Sequence, residues 1–159
     1  MTEPKHNKGR SRQDVGTPRD FLDAIERRFG RIKVDLAARA DNAVAPLFVT
    51  PEEDSLTVPW GERFPTKLGW LNPEFSDLDL WAAKCAREAG PTAPGLRVLL
   101  LTPASIGSGW FAEHVHRKAL VLALRPRLTF VGHTQAYPKD CILSCFGFGV
   151  TGFELWRWK

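Results

Sequence analysis

Residues 68–90 read LGWLNPEFSDLDLWAAKCAREAG. Leu68–Leu71 is a short apolar run that stops on Asn72-Pro73. Ser76 is placed to cap a helix, with Asp79 three residues on as the second half of a capping box. Leu78, Trp81, Ala82, Cys85 and Ala89 recur at helical spacing and predict a buried face, and Gly90 ends the pattern. A few residues further, LRVLLLT (96–102) is a continuous apolar run of the kind a central parallel strand carries. Strand, helix and strand in this order predict an α/β fold.

Working outward, the same alternation holds. Toward the N-terminus, Thr17 and Pro18 open a predicted helix as N-cap and first helical residue, with Asp20 as the acid of a capping-box-like pair. Phe21, Leu22, Ile25 and Phe29 supply its apolar face and Gly30 its end. RIKVDLAA (31–38) reads as a strand entering a loop at Asp35, LFV (47–49) is a further apolar run, and TPEEDSL (50–56) is a loop. Toward the C-terminus, PASIGSG leads to a helix near Trp110–Lys118, followed by ALVLALR, RLTFVG, CILSCFGFG and GFELWRW. The last two or three alternate and predict antiparallel hairpin strands. The expectation is a three-layer sandwich with a mostly parallel sheet and a C-terminal antiparallel hairpin. It forms one domain over residues 15–159, preceded by a basic tail over 1–14.

Composition excludes several classes. At 43% hydrophobic and 25% charged residues, the chain reads as a globular protein with no apolar run of the length a bilayer needs. Cys85, Cys141 and Cys145 lack zinc-type spacing and read as free thiols in a reducing cytosol. His114 and His116, two apart on a predicted helix, cannot share a face, so no metal site is expected. The net charge of +4 is concentrated in residues 1–12, where Lys5, Lys8, Arg10 and Arg12 face only Glu3. Such a tail either contacts phosphates in a salt-dependent way or is simply solvated. Arg117, Lys118, Arg125 and Arg127 are a second basic group with the same two readings.

In open α/β sheets, ligands sit beyond the carboxyl ends of strands. Asp35, Asn72 and Thr102-Pro103 all fall at such ends. Asn72-Pro73-Glu74-Phe75 is either a tight turn or one wall of a pocket in which a flat ring stacks on Phe75 while Asn72 holds its amino group. Asp35 and Asp54 each read as a ligand or as a turn or solvated acid. Trp110 is either presented to nucleic acid from the GSGWF loop or begins a helix as a core tryptophan.

In one order along residues 15–158 stand GTPRDFLDAIERRFG, VDLAARADNA, EEDSL followed by Trp60, WLNPEFSD with Trp81, TPAS before Trp110-Phe111, RPRLTFVG and YPKDCIL. Taken together the chain resembles the phage-type DNA N6-adenine methyltransferases, the Dam family of phages and prophages. The resemblance implies a Rossmann-like class I methyltransferase sandwich in the cytoplasm of a bacterial host. It implies S-adenosylmethionine as cofactor, and as partner double-stranded DNA with one adenine flipped out of the stack. Carried residue by residue, Asn72 and the Pro73 carbonyl would accept the N–H groups of the target amine, and Phe75 would stack on the base. Thr17 and Pro18 would pack against the amino-acid end of the cofactor, Asp35 would face its amino group, and Asp54, with Ser55 and Leu56, its adenine. Glu74 and Lys139 lie where substrate contacts are expected, with Trp110 as a third candidate.

Two departures from that family stand out. Glu74 replaces the proline usual at its position, and alanines in DLAARADNA replace the glycines usual after the first strand. Two other functions therefore remain compatible with the sequence. One is a methyltransferase fold without activity, kept as a DNA- or protein-binding module. The other is the same chemistry on cytosine N4, RNA or a free nucleobase derivative.

Overall fold

The computed structural model describes residues 16–91, 93 and 95–159, so the basic tail lies outside the described residues. Seven strands form one sheet: β1 (Val34–Asp35), β2 (Leu47–Phe48), β3 (Leu68–Leu71), β4 (Arg97–Pro103), β5 (Leu120–Arg125), β6 (Cys141–Phe146) and β7 (Gly152–Arg157). Their spatial order is β2-β1-β3-β4-β6-β5-β7. All pairings are parallel except those of β6, which runs antiparallel to both β4 and β5. The sheet is mostly parallel, in the manner of a Rossmann-like methyltransferase.

Alternation along the strands sorts their side chains onto two faces. Leu71, Val98 and Leu100 join one apolar cluster with Trp60, Ala82, Cys85, Phe111 and Val115. These come from α2 (Trp60–Arg63), α3 (Leu78–Ala89), α4 (Gly109–His114) and the turn after it. Leu68, Trp70, Leu99 and Leu101 point the other way, onto Phe21, Leu22 and Ile25 of α1 (Arg19–Phe29). The result is the expected three-layer sandwich. β4, with six of its seven residues buried, is its central strand. Gly69 on β3 leaves room for Leu36, whose Cδ1 a Cβ there would meet at 2.8 Å and displace.

Three expectations need correction. First, β6 and β7 do not pair as a hairpin. Gly147 and Gly149, at φ 83° and 74°, carry the chain past the start of β5, and β7 then pairs parallel to β5 from Leu120↔Gly152 to Arg125↔Arg157. Alternation reports that a strand has two different faces, and says nothing of which neighbour it takes. Second, RLTFVG is not a strand. Leu128 and Phe130 are buried as plugs against the α1 layer, and the segment is tied down by Tyr137 N–H to the Leu128 carbonyl (2.7 Å) and Val131 N–H to the Gly16 carbonyl (3.0 Å). Third, the caps differ. Pro18, not Thr17, is the N-cap of α1, with its carbonyl taking the Phe21 and Leu22 amides; Asp20 takes the neighbouring Phe21 amide (2.9 Å) and pairs with Lys159 (2.8 Å), and so closes no capping box. Before α3 a 3₁₀ turn, Phe75–Asp77, intervenes, and Ser76 Oγ reaches only Asp77 Oδ2, at 3.4 Å. The one capping box among the described residues joins Thr50 and Glu53, where Glu53 Oε2 takes the Thr50 amide at 2.9 Å.

Candidate active site

β1, β3 and β4 are parallel, so Asp35, Asn72 and Pro103 emerge at one edge of the sheet. Beside the first two lies a cleft of about 240 Å³. Ala37 and Ala38 line it from the loop after β1, Asp54 and Ser55 from the loop after β2, and Asn72, Pro73 and Glu74 from the loop after β3. Trp81 of α3 adds a further wall, stacked on Trp60 with centroids 6.5 Å apart and planes 13° from parallel. Lys84 Nζ stands 4.7 Å over the Trp60 ring and is itself anchored by Glu88 (2.6 Å) and the Val58 carbonyl (2.7 Å), so this wall is fixed from behind.

Asn72 is half-buried, and its Nδ2 donates to the Thr17 hydroxyl at 3.4 Å. The Thr17 side chain is buried, and it serves this amide in place of a helix cap. With Nδ2 engaged, Oδ1 is the end of the amide left to accept a proton from a ligand. Pro73 is buried beside it, and Glu74 is exposed. The Glu74 backbone, at φ −60° and ψ 135°, sits where a proline ring would hold it. The turn therefore keeps a proline-like path without the proline. Phe75 is half-buried, and Tyr137 meets it edge-on at 6.5 Å; Tyr137 in turn meets Phe130 edge-on at 5.5 Å. The stacking candidate is thus backed by two rings from the loop after β5.

Asp35 is almost wholly buried, and its carboxylate accepts from the Ala37 amide (3.3 Å) and the Val44 amide (3.1 Å). It shapes the loop whose alanines floor the cleft. Burial outweighs these two hydrogen bonds and raises its pKa to about 6. No cation offsets its charge among the described residues. A buried carboxylate with no positive partner, next to a cleft, fits a ligand that brings a positive charge.

The other candidates separate. Asp54 lines the cleft in a left-handed conformation, φ 52°, and its Oδ1 takes the Leu56 amide at 3.2 Å. Ser55 is buried, donating to the Leu36 carbonyl and accepting from Trp60 Nε1 at 3.0 Å, so its hydroxyl joins two loops. Leu56 is half-buried and outside the cleft lining, and Pro18 is occupied as the α1 cap. Trp110 lies in the first turn of α4, packed on Phe111 and the core, which is the helix-start alternative. Lys139 is exposed before β6, and its neighbour Asp140 holds Arg127 at 2.7 Å. Thr102 is fully buried within the sheet. Among the described residues no group of three metal-ligating side chains exists, and no helix is long and apolar enough to cross a membrane. Sequence reasoning missed Tyr137, although it lies within YPKDCIL, and missed the Thr17–Asn72 contact.

An α/β sheet whose edge carries an amide-proline loop beside an acid-flanked cleft has the layout of an amino-methyltransferase. The comparison with known proteins is more specific. A family model described as DNA N-6-adenine-methyltransferase (Dam) matches residues 5–143, and the chain belongs to that family. One relative, the DNA N-6-adenine-methyltransferase of Escherichia phage T1, is 29% identical over 113 residues. That alignment takes in 71% of this chain and 45% of the relative, so the matched part is about half the relative's length.

Proposed function

We propose that this chain methylates the N6 amino group of adenine in double-stranded DNA, with S-adenosylmethionine as donor. The observation that carries the reading is the Asn72 amide, turned by Thr17 so that its oxygen is free at the end of β3. When bound, S-adenosylmethionine supplies a methyl group on a sulfonium, an electrophile that needs no metal. The residues of the chain then have the following work. Asp35 would balance a positive charge from the cofactor, and Asp54, which lines the cleft, would accept from its adenine. Asn72 Oδ1 and the Pro73 carbonyl each accept one N–H of the target amine. An aromatic amine is a poor nucleophile because its lone pair is delocalised into the ring. Two fixed acceptors draw its nitrogen toward a tetrahedral shape and localise that pair, and they need no reorganisation during the reaction. Phe75, backed by Tyr137, offers a face on which the flipped base stacks.

The test is Asn72→Ala. N6-methyladenine is measured by mass spectrometry in DNA from cells expressing each form. The wild type should raise the mark well above background and the variant should not, while cofactor binding by the purified variant persists. Equal background levels from both, with folded protein and bound cofactor, would sink the adenine reading and favour a binding module.

A further inference from the structure

A second cleft, of about 950 Å³, opens at the far end of the same sheet edge. It is lined by Arg125 and Arg157 at the ends of β5 and β7, by Arg127 and Lys159, and by one acid, Asp140. Arg127 is held by Asp140 at 2.7 Å, and Lys159 by Asp20 at 2.8 Å. Arg125 and Arg157 have no ion pair among the described residues, and both are exposed. They are also register partners on adjacent strands, which sets them side by side on one face. Like charges so placed repel and cost stability. The acid of β7, Glu154, points to the other face, where it pairs with Arg28. Two adjacent arginines kept without a counter-charge are a built place for an anion that bridges them.

We propose that this arginine pair binds the DNA backbone at a distance from the target base, a contact that rests on the function proposed above. β3, β5 and β7 all run in the same direction, so Asn72, Arg125 and Arg157 come out at one edge. Between β3 and β5 stand β4 and β6. Leu71 is level with Val121 across the sheet, so Arg125 and Arg157 also stand about three residues beyond Asn72 along the strands. At a strand spacing of about 4.8 Å and about 3.3 Å per residue, Arg125 lies about 18 Å from Asn72 and Arg157 about 22 Å. With a rise of about 3.4 Å per base pair, these are phosphates roughly five to six base pairs from the flipped nucleotide. β7 lies beyond the residues matched by the family model, so Arg157 is a feature of this chain outside that match.

The experiment uses the full chain and a 30-base-pair duplex of mixed sequence, with affinity measured between about 50 and 200 mM salt. Each phosphate contact contributes about 0.9 to the slope of log affinity against log salt. The double variant Arg125→Ala/Arg157→Ala should lose about 2 from that slope. It should bind S-adenosylmethionine as the wild type does, and melt about 1–3 °C higher because the repulsion is gone. Arg31→Ala, an exposed cation removed from this cleft, should leave the slope unchanged. An unchanged slope in the double variant overturns the proposal, as does a lowered melting temperature or a change in self-association in its place. If the wild type methylates DNA while the double variant keeps its slope, this surface falls and the activity stands. If the wild type leaves no N6-methyladenine while the double variant loses slope, the activity falls and the surface stands.

Discussion

Acidification should weaken cofactor binding through one side chain, Asp35. Its carboxyl is almost wholly buried, held by two backbone amides, and raised by burial to a pKa of about 6. If the cofactor's positive charge is bound by the ionised form, apparent affinity falls as that form is depleted. The loss is slight at pH 7, about twofold at pH 6 and about tenfold at pH 5. Stability of the empty protein should run the opposite way. The folded pKa lies above the unfolded value of 3.8, so the folded state holds the proton more tightly between the two. The burial cost is therefore absent below about pH 4 and fully felt above about pH 6, where it amounts to about 3 kcal/mol. Isothermal calorimetry of S-adenosylmethionine from pH 5 to 8, in two buffers of different ionisation heat, reads both affinity and proton release. About half a proton should leave on binding at pH 6. Asp35→Asn should flatten both profiles. A constant Kd across this range, with no proton released, refutes the assignment of Asp35 to the cofactor's charge.

Glu74→Pro should fold and gain about 0.4–1 kcal/mol by chemical denaturation, because the backbone already sits at a proline angle. Its methylation rate then reads the carboxylate alone: a rate held or raised means Glu74 is merely tolerated, and a fall means it assists at the amine. Thr17→Val should leave the Asn72 amide free to turn and lower kcat about 5- to 100-fold with little change in cofactor Kd; a change confined to Kd would return Thr17 to the cofactor. Thr102→Val removes a fully buried hydroxyl that has no hydrogen-bond partner among the described residues. It should stabilise the fold by about 1–2 kcal/mol, seen as a Tm rise of about 2–6 °C.

The parts of the fold written in local periodicity were readable in advance. The faces of α1 and α3, the apolar run of β4 and the strand that ends at Asn72 all follow from side-chain spacing, and the structure keeps them. What escaped depends on partners distant in sequence. Thr17 looks like an N-cap because threonine before proline usually is one, yet its hydroxyl serves an amide 55 residues away. The alternation of CILSCF and GFELWR indicates strands and cannot say that β5 stands between them. Lys84 would pass for a solvent-facing residue, but Glu88, the Val58 carbonyl and the Trp60 ring together make its burial tolerable. At the site, the amide-proline loop was visible and its aromatic backing was not, because Tyr137 comes from a segment with no regular pattern.

The placement of β6 also bears on how the chain reaches this state. β5 touches only β6 and β7 in the sheet, and both follow it in sequence. Until Phe146 has left the ribosome, β4 has an open edge and β5 has no neighbour to pair with. The amide-proline loop at Asn72 is made early in synthesis, but the sheet that supports it closes only when β6 threads between two strands already present. Such late, long-range pairing is slow and leaves apolar edges exposed meanwhile. Nascent chains stalled before residue 141 should therefore recruit chaperones and be cut readily by proteases, and those released past residue 158 should resist both.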